Sequence, residues 1–467
     1  MTPLLVLIPF FSLLILSLPF KNLMNKAGFW WVALLSLAQV VLAAFHPAWF
    51  WDGKLNIWML LFPFNSLVDS LTLIMVISIG IIVFISLFVA RATLPDDRQR
   101  GNFISMLLVA LIGMNATVII TDIFSLYVFI EITAVASFVM IALQKDRFAL
   151  EGAFKYFIMS AVATVMMLTA IALMLFLSAS TSFSAVSAAL MNAAGSGLAR
   201  TAIALFVCGL LIKSGIVPFH GWLPDAYSSA PAPVSVLLAG IITKVSGVYV
   251  LMRLVISVFS LMPDLQNLLM FVGALSIVVG ALAALTQTNF KRMLAYSSIS
   301  QVGYIILALG CQTPLALFGA AFHIFNHATF KSLLFVNAAA VEKQTGTLDI
   351  DKMGGLSSKM PVTGASSVIA ILSTAGIPPL SGFWSKFIII LALWNSGKFA
   401  YASVALLASI LTLAYFLTLQ RKVFFGKIAH GLENIKEAGW DLIVPQVILA
   451  VLIIGVGLVF PLVFVWH

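Results

Sequence analysis

The succession of long apolar runs constrains this chain more than any other feature. Runs of about twenty residues suit a helix that crosses a lipid bilayer. The runs lie near positions 3–20, 28–46, 66–90, 103–120, 122–143, 152–178, 200–217, 232–256, 267–286, 296–312, 314–341, 362–394, 400–425 and 441–465. The chain has 62% hydrophobic and 9% charged residues, whereas a soluble domain has about 25% charged residues. The sequence therefore predicts an all-α membrane protein with about fourteen transmembrane helices.

The first run has no basic residue before it and no small-residue cleavage site after it. It therefore predicts a retained span and not a cleaved signal peptide.

Basic residues are distributed unevenly along the chain. Of its 25 Lys and Arg residues, 17 follow odd-numbered runs, Lys291 among them, and four follow even-numbered runs: Lys54, Arg200, Arg253 and Lys398. Because Lys and Arg accumulate in cytoplasmic loops, we expect a multi-pass protein of a prokaryotic inner (plasma) membrane with both termini outside. The net charge of +9 then has a topological origin and does not indicate a nucleic-acid partner.

Four lysines remain that no loop accommodates, namely Lys213, Lys244, Lys331 and Lys386. A charge at the centre of a bilayer costs at least a few kcal/mol and is usually functional. These lysines are therefore the first candidates for ion-handling chemistry.

A helix-breaking segment separates the first two of these lysines, and it contains Pro218, His220 and Asp225. Broken helices are tolerated at membrane depth where the backbone lines a cavity or is buried in protein. Two lysines that flank such a break indicate an ion path. We expect His220 to be an accessory residue, and Asp225 to cap a helix or pair with a cation.

An internal repeat divides the chain. The segment 215–222 resembles 376–384 with one residue inserted, and 154–157 resembles 322–325. About five spans separate the copies, and an odd number of spans turns the second copy upside down, as in many secondary transporters. The alternative is coincidence, because G-I-x-P is common at membrane kinks.

We therefore expect two inverted five-helix repeats, each with a broken helix, interrupted at Pro218 and at Pro378 and Pro379. The Ser/Ala/Gly-rich connection 179–200 predicts a flexible link. The expected segments are 1–100 with three spans, 101–260 as the first repeat, 261–425 as the second repeat, and 426–467 with the last span.

Glu131 lies in an apolar run with no other ionisable carboxylate or amine between Asp122 and Lys145. A lone buried carboxylate would take up a proton, whereas a nearby ammonium keeps it ionised. Lys213 is the natural partner, and separating the pair would release the lysine's proton. A static ion pair is the alternative, although such pairs rarely repay their desolvation. Asp122 is ambiguous between a helix cap and an entry point for ions.

His323, His327 and Lys331 are spaced i, i+4, i+8 and so share one helical face. Histidine is the best relay side chain near neutral pH, so this spacing predicts a proton path. An H-x-x-x-H metal pair is the alternative, but no third ligand lies nearby in the sequence and the lysine would repel a cation. We expect no metal site.

Lys386 follows the second break. If the two prolines interrupt the span midway, this lysine lies near mid-depth; otherwise it snorkels to the interface. In chain order the titratable groups form a row that predicts a lateral relay and not a pore for bulk ions.

The cysteines, Cys208 and Cys311, lie far apart inside apolar runs and suggest no disulfide or cluster. The chain has no iron–sulfur, flavin or phosphate-loop motif, so we expect no cofactor on it and assign any redox catalysis to partner subunits.

Four motifs resemble one known family: 213–244, 289–305, 323–335 and 376–386. The chain is similar to the antiporter-like, proton-translocating subunits of respiratory complex I, Mrp-type sodium/proton antiporters and group 4 membrane-bound hydrogenases. The likeness covers about 102–425. The chain ends soon after its last run, which disfavours the distal complex I subunit with its long lateral helix.

The resemblance implies a role for each candidate. Its implied assignments are a modulating pair of Glu131 and Lys213, a central lysine Lys244, a connecting path of His323, His327 and Lys331, and an outlet lysine Lys386.

The leading hypothesis is a proton-translocating subunit of a multi-subunit complex, preferably a group 4 hydrogenase or a complex I-like oxidoreductase. Its expected partners are protons, Na⁺ as an open alternative, the lipid bilayer and other membrane subunits, including further antiporter-like ones. Alternatives are an Mrp D-like subunit, the membrane component of an inorganic-carbon uptake system, and an anchoring subunit that no longer moves ions. A standalone enzyme is disfavoured because no nucleophile–base pair is evident.

Overall fold

The computed structural model describes residues 4–17, 21–45, 69–259 and 263–464. Lys54, which the sequence places in an outer loop, lies outside these residues. The described part is built from helices and contains no strand.

The α-helices are numbered in chain order. They are α1 Leu4–Ser17, α2 Lys21–Ala44, α3 Ser70–Thr93, α4 Asp97–Ile119, α5 Ile123–Ile141, α6 Arg147–Ser178, α7 Phe183–Asn192, α8 Gly197–Ser214, α9 Trp222–Ser229, α10 Ala232–Leu237, α11 Val250–Ser257, α12 Pro263–Leu285, α13 Phe290–Cys311, α14 Pro314–Thr345, α15 Pro361–Ala375, α16 Ser381–Asn395, α17 Phe399–Val423 and α18 Trp440–Phe464.

Within the described residues, eleven segments are long and apolar enough to cross a bilayer, and shorter apolar helices accompany them. Hydrocarbon offers backbone N–H and C=O groups no hydrogen-bonding partner, whereas a helix satisfies these groups internally. The predicted multi-pass, all-α membrane architecture is therefore confirmed.

The chain divides into two compact units. Unit 1 comprises Met1–Leu87, Leu94–Gly215 and Ile241–Met262, and unit 2 comprises Phe88–Thr93, Ile216–Gly240 and Pro263–His467. Each unit has its own set of buried polar side chains, and the units are described separately below.

The two expected repeats recur as matching local structure. Both α6 and α14 have 32 residues. An isolated backbone bridge joins Asp122 to Ser182 in the first repeat, and one joins Asn289 to Asp349 in the second. The division into two inverted five-span repeats stays a prediction.

Both breaks begin in the same way. Helix α8 ends at Gly215 with φ +66°, and α15 ends at Gly376 with φ +85°. Glycine adopts this left-handed conformation without the steric cost of a Cβ atom. Pro218 and Pro379 then prevent the helix from continuing, and each Pro lies three residues after the glycine.

The connection 179–200 is not the flexible link that its composition predicts. It contains α7, which Ser182 caps by accepting a hydrogen bond from the Ala185 N–H. Phe183, Val186 and Leu190 form a buried stripe on this helix. Spacing of i, i+3 and i+7 places them on one face of a helix. This spacing indicates an amphipathic helix, although the Ser/Ala-rich composition alone suggests a flexible link.

The helices α12 and α13 approach closely because glycines alternate across their contact. A Cβ atom added at Gly303 would lie 2.7 Å from the Gly273 O and 2.8 Å from the Ile277 N. One added at Gly280 would lie 2.6 Å from the Ser300 N. Small residues at such contacts let backbones pack together without a hydrophobic driving force.

We expect Gly303→Ala to lower the apparent melting temperature in detergent by several degrees, because the new methyl group meets backbone atoms that cannot rotate away; overpacking of this kind costs about 1–3 kcal/mol. Gly455→Ala in α18 is the control, since no described atom lies within 4 Å of its added Cβ. Equal melting temperatures for the two variants would contradict the close-packing argument.

Candidate functional site

The charged pair predicted from the sequence lies in unit 1. Lys213 Nζ is 2.7 Å from Glu131 Oε1 and donates a second hydrogen bond of 2.8 Å to Ser160 Oγ. Thr164 Oγ1 donates to the same Glu131 oxygen at 2.8 Å. The lysine is buried, whereas the Glu131 side chain is 23% exposed. Helices α5, α6 and α8 thus meet at one ion pair that reaches the edge of the unit.

Ser160 and Thr164 were missed by the sequence reasoning. They are spaced i, i+4 on α6 and so face the pair together. Serine and threonine are common in transmembrane helices, so the sequence offers no signal beyond this spacing.

Lys213 also occupies the last turn of α8. The last carbonyl groups of a helix have no intrahelical partner, and they form the negative end of its dipole. An ammonium is stabilised at such an end, and the helix break holds this end inside the protein and away from water.

The Lys386 side chain, in unit 2, reaches the carbonyl end of α15. Its Nζ donates to the Thr374 O at 2.7 Å, in the last turn of α15, and lies 4.6 Å from the centre of the Tyr304 ring. The side chain is buried. Lys386 therefore does not snorkel to the interface, and its ammonium lies at the carbonyl end of the half-helix that precedes the second break.

Lys244 is fully buried in unit 1 and lies in an irregular part of its span. Between α10 and α11 the backbone is π-helical over Leu238–Ile242 and Lys244–Tyr249. Such turns are rare and frequently mark functional sites. Gly247 lets this segment touch α8, because a Cβ atom there would lie 2.3 Å from Ser214 Oγ. Hydropathy alone does not predict this winding.

The three residues predicted to share a face of α14 are all fully buried. The rings of His323 and His327 are stacked with centroids 6.3 Å apart. Lys331 donates to Ser297 Oγ and, at 3.3 Å, to the Leu294 O of α13. His/Cys/Asp/Glu clusters able to hold a metal are absent from the described residues.

Aromatic and hydroxyl groups surround this row, and the sequence reasoning did not single them out. Tyr415 donates to Ser297 Oγ at 2.9 Å. The Tyr304 ring lies 5.9 Å from the His323 ring, and His323 Nδ1 lies 2.9 Å from Ser385 Oγ. Tyr304 therefore adjoins both His323 and Lys386.

Asp122 and Asp225 have structural partners. Asp122 caps α5 by accepting from the Ser125 N–H at 2.7 Å, and it also accepts from Thr181. Asp225 forms an ion pair with Arg292 at 2.5 Å, as expected for a pairing residue. His220 is partly buried between Pro218 and α9, with its ring 6.5 Å from that of Tyr296.

Two cations assigned to loops by the sequence count are in fact buried. Lys291 pairs with Glu342 at 2.8 Å in unit 2. Arg253, in unit 1, is 3% exposed and donates to both carboxylate oxygens of Asp69, at 2.6 and 2.8 Å. Position at the end of an apolar run does not reveal that a neighbouring helix supplies a carboxylate.

A family model described as the NADH:quinone oxidoreductase/Mrp antiporter transmembrane family matches residues 120–412, which include every candidate ion-handling residue described above. The chain belongs to this family. Its membership confirms the resemblance seen in the four sequence motifs, and it makes the chain an antiporter-like membrane subunit.

Two relatives come from different branches of the NADH:quinone oxidoreductase/Mrp antiporter family. The chain is 32% identical over 405 residues to the Na(+)/H(+) antiporter D-type subunit of Alkalihalophilus pseudofirmus, covering 86% of this chain and 82% of that protein. It is 36% identical over 352 residues to the NADH-quinone oxidoreductase N-type subunit of Desulforudis audaxviator, covering 72% and 69%.

Two solved structures have the same fold. A chain of the Mrp complex from Dietzia sp. superposes with a TM-score of 0.88 at 21% identity, covering 99% of this chain and 95% of that one. A chain of the membrane-bound sulfane sulfur reductase, an archaeal respiratory membrane complex, gives 0.84 at 26% identity, covering 97% and 75%. The two relatives carry subunit names, and the two structures are of multi-subunit membrane complexes.

The Asp69–Arg253 pair predicts a pH-dependent stability. Asp69 precedes α3 and lies outside the span. Burial raises the pKa of Asp69, but hydrogen bonds from Arg253 and Thr72 and the guanidinium charge outweigh burial and lower the pKa from 3.8 to about 2. A folded-state pKa below the unfolded value means that the pair stabilises the fold above about pH 3.8, and that this stabilisation is lost as pH falls through about 2.

We expect Asp69→Asn to cost about 1 kcal/mol at pH 7, because the Asp69 side chain is 41% exposed and solvent weakens the pair. The cost should appear as a lower melting temperature, and the difference from wild type should narrow below pH 3.8. Asp97→Asn is the control, because Asp97 pairs with Arg100 on the exposed surface and such pairs contribute about 0–1 kcal/mol. A difference in melting temperature between Asp69→Asn and wild type that does not change with pH would contradict the role assigned to the Asp69–Arg253 pair.

Proposed function

We propose that the chain translocates protons as the antiporter-like subunit of a multi-subunit energy-converting complex. The observation that supports this proposal is the buried ion pair of Lys213 and Glu131, which joins three helices beside a helix break. Family membership supports it independently.

The pair has the properties of a protonation switch. With Glu131 at 2.7 Å, the Lys213 ammonium is stabilised by a counter-charge and by the Ser160 hydroxyl, while Thr164 donates to the carboxylate. If Glu131 moves away, the ammonium is left buried without its carboxylate, and burial then favours the neutral amine. A small movement of α5 against α8 therefore releases a proton. The partial exposure of Glu131 allows a neighbouring subunit to cause that movement.

Unit 2 contains the polar groups that a hydrated proton path requires. Several fully buried atoms there make no hydrogen bond to any described residue. They are His323 Nε2, Asn326 Oδ1, Ser332 Oγ, Asn337 Nδ2 and Ser381 Oγ. Buried polar groups that lack protein partners are usually satisfied by internal water. Water between groups about one helical turn apart can pass protons along α14.

The proposed setting is the plasma membrane of a prokaryote, with both termini outside. The parent complex couples proton movement to a partner's redox reaction, as in a complex I-like oxidoreductase or a membrane-bound hydrogenase. The similarity to the N-type subunit of NADH-quinone oxidoreductase and to the sulfane sulfur reductase complex supports this setting. Identification of the proteins that co-purify in mild detergent tests it.

A second candidate function is Na⁺/H⁺ exchange within an Mrp-type complex. The longer alignment to the D-type subunit of the Na(+)/H(+) antiporter, over 86% of the chain, favours it. The driving force that proton movement requires distinguishes the two candidate functions. Proton movement that needs a Na⁺ gradient and no redox substrate supports exchange, and the reverse supports the redox-coupled complex.

We expect Lys213→Ala to abolish proton translocation, because the switch loses its titrating amine. The measurement is the rate of ΔpH formation, followed with an entrapped pH dye, in proteoliposomes that hold the purified complex under its own driving reaction. Loss of a proton-transfer group typically costs about 10²–10⁴-fold in rate. Glu131→Gln should slow the same rate, since a neutral amide no longer controls the lysine.

Lys155→Ala is the matched control. Lys155 also forms a 2.7 Å ion pair, with Glu151, but this pair lies on the exposed part of α6. The Lys155→Ala complex should translocate protons at the wild-type rate. Normal translocation by an assembled Lys213→Ala complex would overturn the proposed function.

A further inference from the structure

A second polar row lies on α13 and faces the His323–His327–Lys331 row of α14. Ser297, Gln301 and Tyr304 are spaced i, i+4, i+7 and so share one face of α13. The two ends of this row already contact α14. Ser297 accepts a hydrogen bond from Lys331, and the Tyr304 ring lies 5.9 Å from the His323 ring.

These two contacts fix the register of the rows. Moving along α13 from Ser297 to Tyr304 corresponds to moving back along α14 from Lys331 to His323. The helices therefore run antiparallel at this contact. Gln301, four residues after Ser297, falls at the level of His327, four residues before Lys331. It lies midway between the two contacts.

Gln301 is fully buried, and neither its Oε1 nor its Nε2 makes a hydrogen bond of good geometry within the described part of the chain. The Tyr415 hydroxyl lies near the Gln301 side chain, and it donates a hydrogen bond to Ser297. A buried carboxamide whose hydrogen bonds are not well formed is costly. Its two polar atoms can each bind water, one as a donor and one as an acceptor.

We propose that Gln301 is a positioning residue for proton transfer: its carboxamide holds the water that connects Lys331 and Ser297 to His327. The inference rests on the proposed proton-translocating function. A proton that leaves Lys331 passes to this water while the water gives one of its own protons to the neighbouring imidazole, so no bond to Gln301 itself forms or breaks. Gln301 is suited to this position because it orients water without titrating.

The test uses Gln301→Met in the purified, reconstituted complex, with ΔpH formation as the readout. Methionine keeps the length of the side chain and removes both strong hydrogen-bonding groups. We expect the rate of translocation to fall about ten-fold, as loss of one water-holding hydrogen bond predicts, and its solvent deuterium isotope effect to rise because proton transfer becomes rate-limiting. Gln301→Asn retains a carboxamide but withdraws it by one methylene group, so it should recover part of the rate and keep an isotope effect above that of wild type.

Ser300→Ala is the matched control, because Ser300 is also buried on α13 but donates to the Ile277 O of α12 at 3.0 Å, on another face. It should behave as wild type in both rate and isotope effect. A Gln301→Met complex with wild-type rate and isotope effect would overturn the inference. If that variant does not assemble, Gln301→Asn decides the matter: an isotope effect above wild type supports the inference, and an unchanged one overturns it.

The proposed function and the inference fail separately. If Lys213→Ala translocates protons normally in the same assay, the proposed function is wrong. If Lys213→Ala stops translocation while Gln301→Met matches wild type, the proposed function stands and the role of Gln301 is wrong.

Discussion

The cost of keeping an ammonium group inside a bilayer shapes this structure. Lys213 has a carboxylate partner, but Lys331 and Lys386 donate to backbone carbonyls and a hydroxyl. Neutral oxygen acceptors stabilise a buried cation less than a counter-charge does, since charge-assisted bonds between two ions are the strongest. The acceptors that Lys331 and Lys386 contact are therefore weaker than the carboxylate that Lys213 contacts.

The helix breaks make such sites available at membrane depth. A continuous helix uses its carbonyl groups in i→i−4 hydrogen bonds, so they are less available to an ammonium than the unpaired carbonyls at a helix end. Ending α8 at Gly215 and α15 at Gly376 exposes the last carbonyls of each half-helix inside the protein. Lys213 belongs to the half-helix that ends, whereas Lys386 reaches back from the one that follows. Each break thus has a buried lysine beside it, but Lys213 contacts a carboxylate whereas Lys386 contacts a free carbonyl.

Much of this architecture could be predicted from the sequence, because charged residues are rare in an apolar chain and each one is therefore informative. Glu131 and Lys213 could be paired since few alternatives exist within their runs. The i, i+4, i+8 spacing placed His323 and its neighbours on one face. The count of loop charges failed for Arg253 and Lys291, because it measures distance along the chain and not burial by other helices. The roles of individual residues in translocation stay predictions.

What the sequence could not supply is the register between helices. Gln301 and Ser297 belong to a motif that was informative only as a resemblance, since Ser and Gln occur often without function. Their position opposite α14 becomes visible once Lys331 and Tyr304 fix how the two helices align. The same applies to the π-helical turns around Lys244, where i→i+5 bonding brings residues five apart onto neighbouring positions of one face. An α-helical reading of that span assigns its side chains to the wrong faces. Proton paths depend on which side chains face one another across a few ångströms, and that information lies in the packing of helices and not in the periodicity of any one of them.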